Sequence, residues 1–401
     1  MGRIIVIDDV MGSGKTSWSI QHMNEDQDSN FLYITPFINE TTRIMKNVYN
    51  RDFKTPCAEG KGRGKLVNLL ELLRTEEDIA STHALFLKLT DECKEAIKEG
   101  HYTLILDETI NAIEPYTVAH KNDIDYLLKN NSIEIDSEGF IHWIDDDLDT
   151  SYNKIKILAK NKSLFYVNQK LLMWRYPPEI FELFDKVYIM TYLFDASILK
   201  YYFDLSGIEY DKVSVSHDNG RYELVEYKKP DVSMFKERIH IYEKSDLNEI
   251  FTQKKTALSS TWFTSSGNSD KIAKLKKAIY NYIQHKEPCK ADQIMWTTFL
   301  QSQKKLEAKG TAKAFVSCNC RATNDYSDRD HLIYALNVFP HVGVSQFFAQ
   351  HGIVMDADNY ALAEMLQWIW RSKIREKDGD IWIYIPCTRM RNLLKSWLNE
   401  K

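Results

Sequence analysis

Arg3-Ile4-Ile5-Val6-Ile7-Asp8-Asp9-Val10-Met11-Gly12-Ser13-Gly14-Lys15-Thr16 opens the chain as an apolar run that breaks into a glycine loop ending in Gly-Lys-Thr. Such a run bounded by glycines predicts a buried strand, and the residues after it predict a helix. Glycines let the backbone curl with its N–H groups turned inward, and the next helix offers its positive end to an anion. The combination therefore predicts a phosphate-binding loop made of Gly12, Ser13, Gly14, Lys15, Thr16 and Ser17. Lys15 reaches the outer phosphates, and Thr16 holds Mg²⁺ through its hydroxyl. Asp9 stands where the full loop pattern has a small residue. A bare glycine turn before a helix is the plainer alternative.

With 401 residues and 44% hydrophobic content, the chain is long enough for two or three cores. A net charge of −5 neither advertises nor excludes a nucleic-acid binder, because binding depends on where charges sit. They are uneven: residues 101–150 hold twelve Asp/Glu against two Lys/Arg, and residues 371–401 hold eight Lys/Arg against four Asp/Glu. The six cysteines lack paired zinc spacing and the density of a secreted scaffold, which implies reduced thiols in the cytoplasm. No stretch approaches a membrane span, and the first residues run straight into a strand rather than a signal peptide.

Strands and helices alternate after the loop. Phe31 to Ile34 reads as a strand entering Thr35-Pro36, Leu66 to Leu73 as an amphipathic helix, and Asp78 to His83 as a strand. Leu85 to Glu99 reads as a helix closed by Gly100. The basic, glycine-rich segment from Cys57 to Lys65 is either a surface loop or a loop touching phosphate. Tyr102 to Asp107-Glu108 is a buried strand with two acids at its carboxyl end. This alternation implies a parallel, doubly wound sheet, whose ligands bind at the carboxyl ends of strands. Two hairpins are expected, at Ser132 to Ile144 inside an acidic insertion of about 110–165, and at Val213 to Tyr227 around Asn219-Gly220. Later strands are expected at Val187–Tyr192, Ile239–Tyr242, Gln293–Thr298, Ala314–Cys318, His331–Leu336 and Asp380–Pro386. No second Gly-Lys-Thr occurs. The division read from this is residues 1–230 and 231–401.

A P-loop ATPase needs one carboxylate at a strand end for Mg²⁺ and another to orient the attacking water. Asp107 takes the first role and Glu108 the second; capping of the next helix is the alternative. Gln367 to Arg375 reads as a helix on which Gln367, Arg371 and Arg375 share one edge, either a solvated basic face or a source of arginine fingers for a transferring phosphate.

In that order these stretches resemble the motifs of superfamily 2 helicases of the DEAD-like group, most closely the compact bacteriophage DEAD/DEAH-box type. Gly12 to Thr16 matches motif I, Thr35-Pro36 with Arg43 motif Ia, and Ser81-Thr82-His83 motif Ib. Asp107-Glu108-Thr109-Ile110 resembles motif II, with Ile110 in place of the usual Asp or His. Thr191-Tyr192 stands at motif III, Ser317 to Asp325 at motif V, and Gln367 to Arg375 at motif VI. Arg375 is eight residues after Gln367 where the family commonly has seven, which makes Arg371 the better-spaced finger.

The resemblance implies two RecA-like α/β domains and hydrolysis of ATP with Mg²⁺ in a cleft between them. It also implies a nucleic-acid strand, DNA before RNA and single-stranded or branched, running over Thr35, Pro36, Arg43, Ser81, Thr82, Asn319 and Arg321. A helicase or translocase of phage replication, recombination or repair is expected, in the host cytoplasm and in company with replication or recombination proteins. Arg389, Met390, Arg391, Lys395 and Trp397 form a further basic, aromatic edge or pack internally. The rival readings are a DNA-packaging motor and a nucleotide-regulated nucleic-acid-binding adaptor.

Overall fold

The computed structural model describes residues 2–58, 64–118, 120, 122–145, 152–168, 171–248, 254–318, 326–376 and 378–400. It is a mixed α/β chain with mainly parallel sheets, in two compact units. One unit comprises Met1–Asp8, Lys15–Glu226 and Pro340–Met355, and the other Asp9–Gly14, Tyr227–Phe339 and Asp356–Lys401.

The strands of the first unit are β1 Arg3–Asp8, β2 Asn30–Thr35, β3 Ile79–Thr82, β4 Tyr102–Asp107, β5 Ile113–Pro115 and β6 Ile133–Ile135. They continue as β7 Ile141–Trp143, β8 Leu164–Val167, β9 Leu171–Arg175, β10 Lys186–Thr191, β11 Asp211–Asp218 and β12 Arg221–Glu226. Seven build one sheet in the order β12-β11-β1-β10-β4-β2-β3, and every pair is parallel except β11 with β12. The inner strands are buried almost end to end, which explains their unbroken Ile/Leu/Val runs. One face packs on the helix Lys15–Glu25, where Trp18 and Met23 meet Ile5, Ile7, Phe31, Tyr33, Ile105 and Tyr188. The β11–β12 hairpin turns at Asn219 (φ +48°) and Gly220 (φ +79°), the double left-handed turn that follows strand twist.

In the region expected as an acidic insertion, β5, β9 and β8 form an antiparallel sheet and β6 and β7 a hairpin. Ile124, Leu127, Ile141, Trp143, Ile155 and Leu164 give it a core of its own. The helix Val342–Gln350 groups with this unit, not with the second one as the sequence division has it. Phe347 packs tilted against Phe165 at 4.5 Å between ring centres, and Gly343 lies close against the Met173 and Leu171 side chains, which would have to shift to admit a Cβ.

The second unit carries β13 Ile239–Ile241, β14 Ile294–Thr297, β15 His331–Tyr334 and β16 Ile381–Tyr384. They form an all-parallel sheet in the order β13-β16-β15-β14. The expected strand at Ala314–Cys318 does not form. Only Phe315 bridges to Trp296, with Trp296 exchanging hydrogen bonds with Ala314 and Val316.

Candidate nucleotide site

Five parallel strands of the first unit end together. Register places Asp8 beside Thr191, Met190 beside Asp107, and Thr35 beside Thr82. The row of strand ends is therefore Asp8, Thr191, Asp107, Thr35 and Thr82, at the edge where doubly wound sheets bind ligands.

Between Asp8 and the helix beginning at Lys15, the loop has Gly12 at φ +87° and Gly14 at φ +103°. L side chains rarely adopt these values, so the glycines are required by the backbone itself. The Ser13 N–H donates to the Val10 carbonyl at 3.2 Å, and the Ser13 hydroxyl is buried with no hydrogen-bond partner. A loop of this conformation with an orphaned hydroxyl fits a phosphate group, because each unmet donor gains a partner when an anion is seated. Asp9 is buried, with its carboxylate accepting the Val10 N–H at 2.7 Å.

Lys15 stands close enough to Asp107 for its charge to ease ionisation of that carboxyl. Burial nevertheless pushes Asp107 up to about 7, with the neighbouring Glu108 charge adding to the rise. A carboxyl that is costly to ionise alone is one that gains from a nearby cation. Among the described residues no cluster of three or more His, Cys, Asp or Glu side chains is built to cage a metal. A phosphate-bound Mg²⁺ does not need one, since it takes one or two protein ligands and fills its remaining positions with water and phosphate oxygens.

Glu108 follows at φ +71°, a left-handed conformation that costs a non-glycine residue about 1–2 kcal/mol. Its N–H donates to the Met190 carbonyl at 2.9 Å, so β10 holds the strained residue in place. His83 meets the Asp107 carbonyl at 3.0 Å through Nε2, tying the residue after β3 to the end of β4. Two residues without a sequence signal also converge here. The Tyr33 hydroxyl is fully buried beside the Asp107 carboxyl, and the Glu40 charge raises Asp107 further. Both lie on or after β2, and only strand register brings them to β4.

The other expected site residues divide. Pro36, Arg43 and Thr82 are half-buried, with Arg43 paired to Glu40 at 3.2 Å. Thr35 is 0% exposed, and Ser81 is buried with it. Both side chains are closed to solvent. Asn319 and Arg321 lie outside the described residues, as does most of the glycine-rich segment from Cys57 to Lys65.

In the second unit, the expected helix through Gln367, Arg371 and Arg375 is corrected. The helix Ala357–Ile369 ends before the arginines, and Lys373–Arg375 is a separate short turn. The Ser372 hydroxyl donates back to the Ile369 carbonyl at 2.6 Å, and the Lys373 N–H leaves for the Arg329 carbonyl at 2.8 Å. Gln367, half-buried on the helix, does not share an edge with the two arginines. Arg371 is 7% exposed and Arg375 is exposed, so solvent access favours the arginine with the poorer spacing. Within the basic, aromatic edge, Arg389 donates to Asn337, Val338 and Ala357, Arg391 to Asn248 and Ile385, and Trp397 is buried, while Lys395 reaches the surface and pairs with Glu243.

Residues 113–174 match the model of the YonV middle domain, and residues 233–398 that of the YonV C-terminal Rossmann-like domain. The SPbeta prophage-derived uncharacterized protein YonV of Bacillus subtilis (strain 168) is 41% identical over 416 residues, covering 100% of both chains. The chain belongs to the YonV family. Among solved structures, S. tokodaii Xpd4 is 12% identical to this YonV-family chain with a TM-score of 0.55, over 99% of this chain and 94% of that one. An XPD helicase is 13% identical with a TM-score of 0.49, over 100% and 96%. The Xpd4 likeness is one of fold. No helix among the described residues is long and apolar enough to cross a membrane.

Proposed function

We propose that this YonV-family chain is a nucleic-acid-dependent ATPase of the helicase or translocase type. The observation that carries the reading is the glycine loop, with Gly12 and Gly14 at positive φ immediately ahead of Lys15, following the β1 end in the same row of parallel strand ends as Asp107. On this reading the loop and Lys15 hold the ATP phosphates, and Thr16 and Asp107 hold Mg²⁺, whose charge would draw density from the bond being cleaved. Glu108 orients the attacking water and accepts its proton. An arginine of the second unit neutralises charge on the transferring phosphate, with Arg375 preferred over Arg371 on solvent access. Pro36, Arg43 and Thr82 contact a nucleic-acid backbone, positioning it without reading sequence. A fold like that of Xpd4 and a prophage-derived relative support a role in phage DNA metabolism in the host cytoplasm.

The test is steady-state ATP hydrolysis without nucleic acid and with single-stranded DNA, duplex DNA, branched DNA or RNA, using Lys15→Ala as the blank. Stimulation by one of these, absent from the blank, is the expected result and names the track. A rate indifferent to all five conditions would replace the motor with a nucleotide-regulated adaptor.

A further inference from the structure

β2 lies between β3 and β4, with Tyr33 in register with Ile105 and Ile34 with Leu106. Strand alternation then places Phe31, Tyr33 and Thr35 on the same face as Ile105 and Asp107. That face is covered by the helix beginning at Lys15. Tyr33 is fully buried among Trp18, Phe31 and Ile105, where a phenylalanine would fill the same space. Its hydroxyl is the exception to this apolar packing. It makes no closed hydrogen bond, and the Asp107 carboxyl and the Ser19 hydroxyl lie within reach of one. Ser19 in turn donates to the Thr16 carbonyl at 2.9 Å. A buried hydroxyl left unpaired costs on the order of 1–3 kcal/mol, and packing alone gives no reason for it.

The geometry points to Tyr33 as a positioning residue whose phenolic O–H donates to one oxygen of the Asp107 carboxylate and leaves the other free for the divalent cation. Oriented ligands bind metal more tightly than free ones, and groups that hydrogen-bond to a ligand from behind commonly change metal affinity by about 10–100-fold. Tyr33 touches neither the nucleotide nor the metal, and its effect passes through Asp107. This role rests on the ATPase reading above, and the experiment separates the two.

Mn²⁺ is titrated into the full chain in the presence of a non-hydrolysable ATP analogue, with free Mn²⁺ followed by electron paramagnetic resonance. Binding of a fluorescent ATP analogue without metal and the thermal unfolding midpoint are measured alongside. In Tyr33→Phe, Mn²⁺ affinity is expected to fall about tenfold, with metal-free nucleotide affinity unchanged and the midpoint equal or higher. Equal Mn²⁺ affinity in Tyr33→Phe and the natural chain would overturn the role of Tyr33 and leave the ATPase reading standing. No nucleotide-dependent Mn²⁺ binding by the natural chain would overturn both.

Discussion

The Lys212 ammonium lies 3.2 Å from the Asp8 carboxylate, at the point where β1 gives way to the glycine loop. Asp8 is 2% exposed and also accepts the Phe194 N–H at 3.2 Å, while Lys212 reaches Asp195 at 2.8 Å. Burial raises the Asp8 carboxyl against the pull of Lys212. Burial also opposes the Lys212 charge, but Asp195 and Asp8 together hold that lysine above the usual range. The pair ties together three neighbouring strands of the sheet, β11, β1 and β10.

Lys212→Met leaves a buried carboxylate without its cation and should cost about 3 kcal/mol of stability. Adding Asp8→Asn should recover part of the loss, because the remaining group no longer carries charge. Urea unfolding of the two variants checks this, and a double variant no more stable than Lys212→Met would show that the pair is not the source.

Glu108→Gln keeps the left-handed residue but removes the proposed proton acceptor, so hydrolysis should fall about 10²–10⁴-fold with the unfolding midpoint unchanged. Glu108→Gly removes the backbone strain as well and should stabilise the fold by up to about 1 kcal/mol while losing turnover equally. Single-turnover hydrolysis and thermal unfolding of both variants measure the two effects separately. Normal hydrolysis in Glu108→Gln would sink the assigned role.

The two arginines of the second unit should separate by the property they change. Arg375→Ala, at an exposed position, should leave the midpoint unchanged and lower turnover about a thousandfold if it supplies charge to the transferring phosphate. Arg371→Ala removes a buried side chain and should cost about 1–3 kcal/mol of stability. Turnover by Arg375→Ala within twofold of the natural chain would return the finger role to Arg371.

His22 stacks on Trp18 with ring centres 5.1 Å apart and meets Phe31 and Tyr188 edge-on. Burial depresses its proton affinity below the ordinary histidine value near 6.5, with Asp26 pulling the other way. A base depressed in the folded state binds more protons when unfolded, so its contribution is complete above about pH 6.5 and is lost as pH falls through the folded value. The unfolding midpoint should therefore drop between pH 7 and 5. His22→Phe should flatten that part of the profile, and an identical slope in the variant would exclude His22 as its cause.

Much of the fold was legible because it is written in local pattern. The unbroken Ile/Val run of β1, the Asn219-Gly220 turn and the acids ending β4 each depend on neighbours a few residues away. The positive φ of Gly12 and Gly14 has the same local origin. The motif VI region was misread because helical spacing at Gln367, Arg371 and Arg375 says nothing of Ser372, which turns back to Ile369, or of Arg329, which draws Lys373 away.

By itself the sequence determined which segments become strands and helices in the first sheet and where its glycine loop and paired acids fall, since those follow from side-chain period and backbone freedom. Tertiary structure alone decided that β10 inserts between β1 and β4, bringing Thr191 level with Asp8 and Met190 level with Asp107 and Glu108. It also placed the Tyr33 hydroxyl beside the Asp107 carboxyl and hid Thr35 and Ser81 from solvent. Those outcomes depend on register between strands far apart in the chain and on which faces the helices cover. A pattern of period two or 3.6 carries no information about either.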